Sequence, residues 1–292
     1  MKKMTFKDKG EILKNTFQGF FKENSFFHGA ALSYYTIFAL VPLLYLAFAT
    51  FGRIVGNEKL LEIIGGLLKE QVGIEDITGI LSFLDGVDLA GGSFVMQVVG
   101  VFVLIVSATA LFGALRNSIN AFYEVELVHE SNKKIILSHL ISRLVSVSIL
   151  TLIGVVIIVI YFAQTLLLSF GSYLLGDSGT INELYSFLFE HGLSIFSNVI
   201  IFSFIFKYLH DGFVKWKIAI RGAALTSVLL YFGQLLIKYY LGNFFFAADG
   251  GIAGTLLVIL AWMYYSSQII FFGAKYTCEF AKKIGEPILP KD

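Results

Sequence analysis

Residues 93–115, SFVMQVVGVFVLIVSATALFGAL, form the stretch that decides the fold, because it runs without a single charged side chain. A helix needs about 20 apolar residues to cross the hydrocarbon core of a bilayer, which is about 30 Å thick. The apolar residues are continuous and do not alternate with polar ones, which favours a helix over a strand of a membrane barrel. The stretch therefore predicts a transmembrane helix.

Five further apolar stretches have the same character, and the composition of the whole chain agrees with them. Hydrophobic residues make up 57% of the chain and charged residues 15%, against about 45–50% and 25% in soluble domains. A soluble protein of this size would expose large apolar patches, so that class is excluded. We expect an all-α polytopic membrane protein with six spans, at about 29–52, 93–115, 144–168, 193–206, 222–237 and 251–274.

Lysine and arginine are sorted along the chain in a way that predicts its threading. Eighteen basic residues fall before the first span and after the second, fourth and sixth spans, whereas four fall on the opposite side. Basic residues concentrate in cytoplasmic loops, so we expect both termini in the cytoplasm. The net charge of +1 provides no field that would attract nucleic acid.

Three segments lie outside the single transmembrane domain expected over residues 29–274. Residues 1–28 contain an amphipathic helix over 5–27, which would lie in the membrane interface or serve only as an orienting elbow. Residues 57–92 form the longest loop, with seven acidic residues and two short amphipathic helices that would cap the bundle or gate a pathway. Residues 275–292 are expected to be a cytoplasmic tail. The apolar face of the first helix contains Ile12, Leu13, Phe17, Phe20 and Phe21.

The sequence lacks the motifs that catalysis and metal binding require and the intramembrane carboxylates that ion coupling usually requires. No Asp or Glu lies within the six expected spans, which argues against a pump that moves protons or sodium through buried carboxylates. The sequence has no phosphate-binding P-loop and no HExxH motif, and Cys278 is its only cysteine. A nucleophile–base pair at a readable spacing is missing as well. We expect no enzymatic activity, no cofactor and no metal site.

Polar residues in the first and sixth spans are the candidates for lining a pathway. Pro42 removes one backbone hydrogen bond near mid-membrane, and such breaks are tolerated where the freed carbonyl faces protein or a wet cavity. The alternative is that these side chains only hold neighbouring helices together. The pathway candidates are Ser33, Tyr34, Tyr35, Pro42, Trp262 and Gln268.

Arginine and asparagine side chains at the inner ends of the spans are the candidates for binding an anionic head group. Arginine presents a planar fork of donors that matches phosphate oxygens, and basic clusters at this depth bind anionic lipids. The alternative is that these residues only set the topology and extend to the head groups. The substrate-binding candidates are Arg116, Asn117, Asn120, Arg143 and Arg221.

A set of short motifs extends along nearly the whole chain, at residues 30–35 and 41–43, residues 115–123, Trp216, residues 221–223 and 250–251, Trp262 and residues 273–274. In this order they resemble the YihY / virulence factor BrkB family of bacterial inner-membrane proteins, once labelled a ribonuclease BN family. The resemblance implies a multi-pass protein of the bacterial inner membrane and is associated with lipid export and envelope-related resistance. No motif here supports ribonuclease activity, and Lys275 stands where the family often has Glu.

Two functions of different classes are consistent with these features. The first is a transporter or lipid-translocating protein for an amphipathic anionic substrate, in which the first and sixth spans line the route and the inner arginines receive the head group. The second is a membrane scaffold that binds envelope proteins through the acidic loop 57–92. Membrane lipids are the expected partners in the first case, and the oligomeric state is left open.

Overall fold

Helices make up most of the described part of the chain in this computed structural model. The structure describes residues 5–56, 58–59, 61–62, 65, 94–125, 180–244 and 251–290. The helical class agrees with the expectation from the sequence. In chain order the elements are α1 (Phe6–Lys22), α2 (Ser25–Val55), α3 (Phe94–Tyr123), α4 (Thr180–Tyr208), β1 (Gly212–Phe213), α5 (Trp216–Phe244), α6 (Gly251–Lys283) and β2 (Leu289–Pro290).

Among the described residues, four helices contain stretches that are long and apolar enough to cross a membrane. They match the second, fourth, fifth and sixth expected spans, and the fourth is the one with the weakest sequence signal. The first expected span falls within α2, whose 31 residues exceed the ~20 that a bilayer requires. The third, 144–168, lies outside the described residues, as does most of loop 57–92. The four stretches are Val98–Tyr123, His191–Tyr208, Trp216–Ile237 and Leu256–Lys283.

The described residues belong to two compact units. Unit 1 comprises Met1–Glu23, Arg116–Leu229 and Phe271–Asp292, and unit 2 comprises Asn24–Leu115 and Leu230–Ile270. Helices α1 and α4 lie in unit 1 and α2 lies in unit 2, whereas α3, α5 and α6 contribute residues to both. The expected division into a terminal segment, one transmembrane domain and a tail stays a prediction.

Helix α1 is shorter than the 5–27 expected from the sequence, because the chain turns at Asn24, where φ is 52°. Its apolar residues also divide between two sides. Ile12 and Phe20 are buried, whereas Phe17 and Phe21 are more than half exposed. The spacing explains the division, since residues four and eight apart share a narrow stripe while their neighbours point about 100° away.

The buried stripe of α1 packs in unit 1 against aromatic rings of α3 and α6. The Phe20 ring centroid lies 5.8 Å from that of Phe272 and 6.1 Å from that of Phe122. Phe122 in turn stacks on Phe271 at 5.1 Å. Lys283 adds an ion pair to α1, 2.6 Å from a carboxylate oxygen of Glu11. Helix α1 is therefore held by protein contacts along the Ile12–Phe20 stripe, while Phe17 and Phe21 remain more than half exposed.

Within unit 1, helices α5 and α6 approach closely through two glycines. A side chain at Gly222 would overlap Thr277, and a side chain at Gly273 would overlap Thr226. Each threonine hydroxyl donates to the glycine carbonyl four residues earlier on its own helix, at 2.8 Å for Thr226 and 2.7 Å for Thr277. The pairing is a reciprocal small-residue contact, the type that brings membrane helices together.

The segment expected to be a tail is structured in the described residues. Helix α6 runs on to Lys283 and ends where Gly285 has φ of 79°, with the Glu286 N–H donating to the Ala281 carbonyl at 3.0 Å. This pattern closes helices, and glycine adopts its left-handed backbone without strain. Strand β2 then pairs antiparallel with β1, with Leu289 opposite Phe213.

Candidate functional site

Three nitrogen donors of unit 1 converge on the carboxylate of Asp211. The Arg116 Nε lies 3.1 Å from Oδ2, and its Nη2 binds Oδ1, so the guanidinium forms a two-point contact. Asn120 Nδ2 donates to Oδ2 at 2.6 Å. We call these three residues the Arg116 site. Arg116 and Asn120 are four residues apart on α3 and share one face of the helix.

The loop that carries Asp211 is fixed by its neighbour His210, which is 2% exposed. The Gly212 N–H donates to His210 Nδ1 at 3.0 Å, so the proton of the neutral ring is on Nε2, which donates to the Phe206 carbonyl at 2.8 Å. The Tyr123 ring packs edge-on against the imidazole at 4.7 Å. The loop between α4 and β1 is therefore held independently of the carboxylate of Asp211.

A second charged group surrounds Glu124, which follows the last residue of α3. The Val125 N–H donates to the Asn120 carbonyl at 3.0 Å and Glu124 has φ of 57°, a helix-ending turn that brings its carboxylate to α6. Lys275 Nζ lies 2.6 Å from Oε1, and Lys282 Nζ lies 2.8 Å from Oε2. Glu279 completes the group, 3.0 Å from Lys282. We call these four residues the Lys275 network.

Lys275 is 2% exposed, which is unusual for a lysine. A side chain at Gly19 of α1 would overlap the Lys275 methylene groups, so the glycine leaves the space through which this side chain passes. The ion pair with Glu124 supplies the charge compensation that burial demands. Lys275 is thus a structural part of unit 1 and not only a topology signal.

Glu124 predicts a specific pH dependence of stability. Partial burial raises the pKa of Glu124, but hydrogen bonds from Lys275 and Lys282 outweigh it and hold the pKa at about 2, below the ordinary 4.5. A lowered folded-state pKa contributes stability above the unfolded-state pKa that is lost as pH falls. We expect the melting temperature of the wild type to exceed that of Glu124→Gln from pH 7 to pH 5. The difference should shrink between pH 4.5 and 2, and a difference that stays constant there would contradict the assignment.

Glu124, Cys278 and Glu279 bring three potential metal-ligand atoms within 4.8 Å of one another. Both carboxylates are already bound by lysine ammonium groups, whose positive charge opposes a cation at this place. The Cys278 thiol is directed to the Tyr123 carbonyl at 3.5 Å. The donor set therefore fits an ion-pair network better than a metal centre.

In unit 2, polar residues of α2 and α6 face each other. The Gln268 Nε2 donates to the Ser25 carbonyl at 3.2 Å, and a side chain at Gly29 would overlap both Gln268 and Ser267. Ser33, one turn further along α2, is 1% exposed. We call Ser25, Ser33, Ser266, Ser267 and Gln268 the polar seam. The sequence selected Ser33 and Gln268 for the same region.

Three buried oxygens of the polar seam have no hydrogen-bond partner among the described residues. They are the hydroxyls of Ser25 and Ser266 and the side-chain carbonyl of Gln268. By contrast, the Ser33 hydroxyl donates to the Gly29 carbonyl at 2.9 Å. Leaving a buried polar group unpaired costs about 1–3 kcal/mol, so these three oxygens call for water or a polar ligand.

The remaining pathway candidates show different degrees of exposure. Tyr34 and Tyr35 are 58% and 37% exposed, with Tyr34 packed against the ring of Phe38 at 4.7 Å. Pro42 is buried and lies inside the continuous helix α2, and Trp262 is half-buried. The structure thus joins Gln268 to α2 but leaves the two tyrosines directed outward.

The substrate-binding candidates separate in a similar way. Arg116 and Asn120 meet on Asp211, whereas Asn117 is exposed. Arg221 is exposed and its guanidinium lies 4.8 Å from the Phe280 ring centroid, in the geometry of a cation–π contact. Arg143 lies outside the described residues. Sequence reasoning missed Asp211, although it is the only acidic residue between Lys207 and Arg221.

Known proteins resemble this chain over most of its length. The family model described as virulence factor BrkB matches residues 16–291. A UPF0761 membrane protein of Haemophilus influenzae is 29% identical over 88% of this chain and 90% of its own. One of Aggregatibacter aphrophilus is 24% identical over 92% of both chains. A third, of Alkalilimnicola ehrlichii, is 23% identical over 86% of this chain, which spans only 54% of that relative.

No solved structure matches the chain, so the family assignment depends on sequence alone. The match of the family model covers far more than half of the chain, and the names of the relatives agree with the long apolar helices. This chain is a membrane protein and belongs to the virulence factor BrkB family.

Proposed function

We propose that this protein moves an amphipathic anionic lipid across the bacterial inner membrane. The proposal includes six spans with both termini in the cytoplasm, which the sorting of eighteen basic residues against four supports. It assigns no enzymatic reaction to the chain. The lipid tails would stay in the bilayer while the head group passes along polar side chains.

The observation that carries the proposal is the set of unpartnered oxygens in the polar seam. Ser266 and Gln268 lie in the sixth expected span, and Ser25 begins α2 four residues before the first expected span. Each has a buried side-chain oxygen that is unpaired among the described residues. Polar groups that serve only to join helices are expected to bond to one another or to backbone. Unsatisfied ones instead suit a route that water or a polar head group enters.

Arg116 and Asn120 supply the chemistry for an anionic head group in this proposal. A guanidinium that binds a carboxylate through two nitrogens, as Arg116 binds Asp211, also matches two oxygens of a phosphate. Arg221 and Asn117 are exposed and would add a weaker attraction at the membrane surface. We therefore expect the protein to select anionic lipids over neutral ones.

Purified protein in liposomes tests the proposed function. We expect labelled phosphatidylglycerol to move between leaflets faster than in protein-free liposomes, and phosphatidylcholine with the same acyl chains to move more slowly. Gradients of protons, sodium and potassium should be applied in turn, since the source of energy is open. Equal rates with and without protein under every gradient would refute the proposal and leave the scaffold hypothesis, in which loop 57–92 binds envelope proteins.

A further inference from the structure

The contact between Arg116 and Asp211 has the form of an occupied anion site. Three nitrogens of Arg116 and Asn120 surround one carboxylate, and a phosphate head group would present the same oxygen pattern. We propose that Asp211 is an internal competitor, whose carboxylate fills the anion site of Arg116 and Asn120 until an incoming oxyanion displaces it. This inference rests on the proposed function and adds a mode of regulation to it.

The position of Asn120 does not depend on the Asp211 carboxylate. The backbone N–H of Asp211 donates to Asn120 Oδ1 at 2.9 Å, and this bond survives when the carboxylate turns away. The Asn120 side chain is buried at 4% exposure, which restricts its rotation further. The amide nitrogen therefore stays directed at the anion position, ready for another acceptor.

The loop is also built to stay in place when the carboxylate leaves. The Gly212 N–H donates to His210 Nδ1, and His210 Nε2 donates to the Phe206 carbonyl. Gly212 also belongs to the β1–β2 pair. Displacement can therefore proceed by rotation of the Asp211 side chain, without unfolding of the loop. These bonds join the loop to α4 and β2 and do not involve the Asp211 carboxylate.

Solvent reaches both partners of the ion pair. The side chains of Arg116 and Asp211 are each 24% exposed, so an anion can approach the guanidinium without first opening the protein core. Partial exposure also weakens the ion pair between Arg116 and Asp211 through screening. A single oxyanion can therefore compete with the Asp211 carboxylate for the guanidinium. A fully buried pair would be closed to exchange.

Binding of short-chain phosphatidylglycerol to the full chain in detergent tests the inference, with short-chain phosphatidylcholine as the neutral comparison. If the free site is populated about one tenth of the time, Asp211→Ala should tighten the apparent Kd for the anionic lipid about tenfold. Asp211→Asn should tighten it in the same direction, and a melting curve checks that both variants fold. Adding Arg116→Gln to Asp211→Ala should abolish the gain.

Inorganic phosphate identifies the source of the oxyanion. Tighter binding of phosphate alone to Asp211→Ala supports a site for soluble oxyanions, and a gain limited to the lipid supports a head-group site. Unchanged affinity for both probes in folded Asp211→Ala, or an equal gain for phosphatidylcholine, would overturn the inference. Lipid movement in liposomes separates the two proposals: a binding gain without movement in any variant rejects only the proposed function, and movement with unchanged binding rejects only the competitor role.

Discussion

Reversing the charge of Lys275 by Lys275→Glu is expected to lower the free energy of unfolding by about 3 kcal/mol, toward the lower end of the cost of breaking a buried ion pair. The residue is 2% exposed and lies 2.6 Å from Glu124 and 3.8 Å from Glu279. The new carboxylate would therefore face two others with little water to screen them. Exposure of Glu124 at 45% keeps the loss from being larger. Chemical unfolding of the detergent-purified protein measures it.

Two companion variants separate charge from packing at Lys275. Lys275→Met keeps the aliphatic stem beside Gly19 and leaves Glu124 bound to Lys282, so we expect a loss of only about 1 kcal/mol. Glu124→Lys combined with Lys275→Glu restores an opposite-charge pair and should recover part of the stability. An equal loss for Lys275→Met and Lys275→Glu would show that the ion pair is not the cause.

Replacing Gly273 with valine (Gly273→Val) is expected to lower the free energy of unfolding by about 3 kcal/mol, the upper end for overpacking a well-packed contact. A side chain there overlaps the hydroxyl of Thr226 and comes close to the Phe206 ring. Helix α5 would have to move away from α6, which breaks the reciprocal contact at Gly222 as well. Unfolding in detergent and the yield of folded protein both report the loss.

A matched exchange across the contact tests the cause. Gly273→Ala alone should destabilise the protein, and the added change Thr226→Gly should recover most of the loss because it removes the overlapping hydroxyl. Gly113 serves as the control, since a side chain there meets nothing within 4 Å, and Gly113→Ala should not destabilise the protein. Equal effects at both glycines would contradict the close approach of α5 and α6.

The apolar stretches were predictable from sequence because their signal is local. Residues 93–115 are apolar for long enough to require a membrane helix by themselves, and α3 contains residues 94–115. The weaker fourth span was recovered from the charge of its flanks, and His191–Tyr208 supports it. The spacing of apolar residues also predicted α1. It could not predict which of these residues pack on other helices and which remain exposed.

The ionic contacts of unit 1 were not predictable, because their partners are distant in sequence. Arg116 and Asn120 are one turn apart and were selected together, whereas Asp211 lies 95 residues from Arg116. Lys275 was interpreted as a tail residue that sets topology, since lysines are rarely buried. The burial of Lys275 depends on Glu124, 151 residues away, and on the space that Gly19 leaves because glycine has no side chain.

The route through the polar seam is the central claim, and the initial rate of phosphatidylglycerol movement tests it most directly. Gln268→Leu combined with Ser266→Ala removes two of the three unpartnered oxygens. Because Gln268→Leu also removes the hydrogen bond from Nε2 to the Ser25 carbonyl, a melting curve checks that the double variant is folded. Ser227→Ala is the control, since its buried hydroxyl is bonded to the Ala223 carbonyl at 2.8 Å. We predict that the double variant loses most of the movement while the control retains it; wild-type rates in the double variant would contradict the claim.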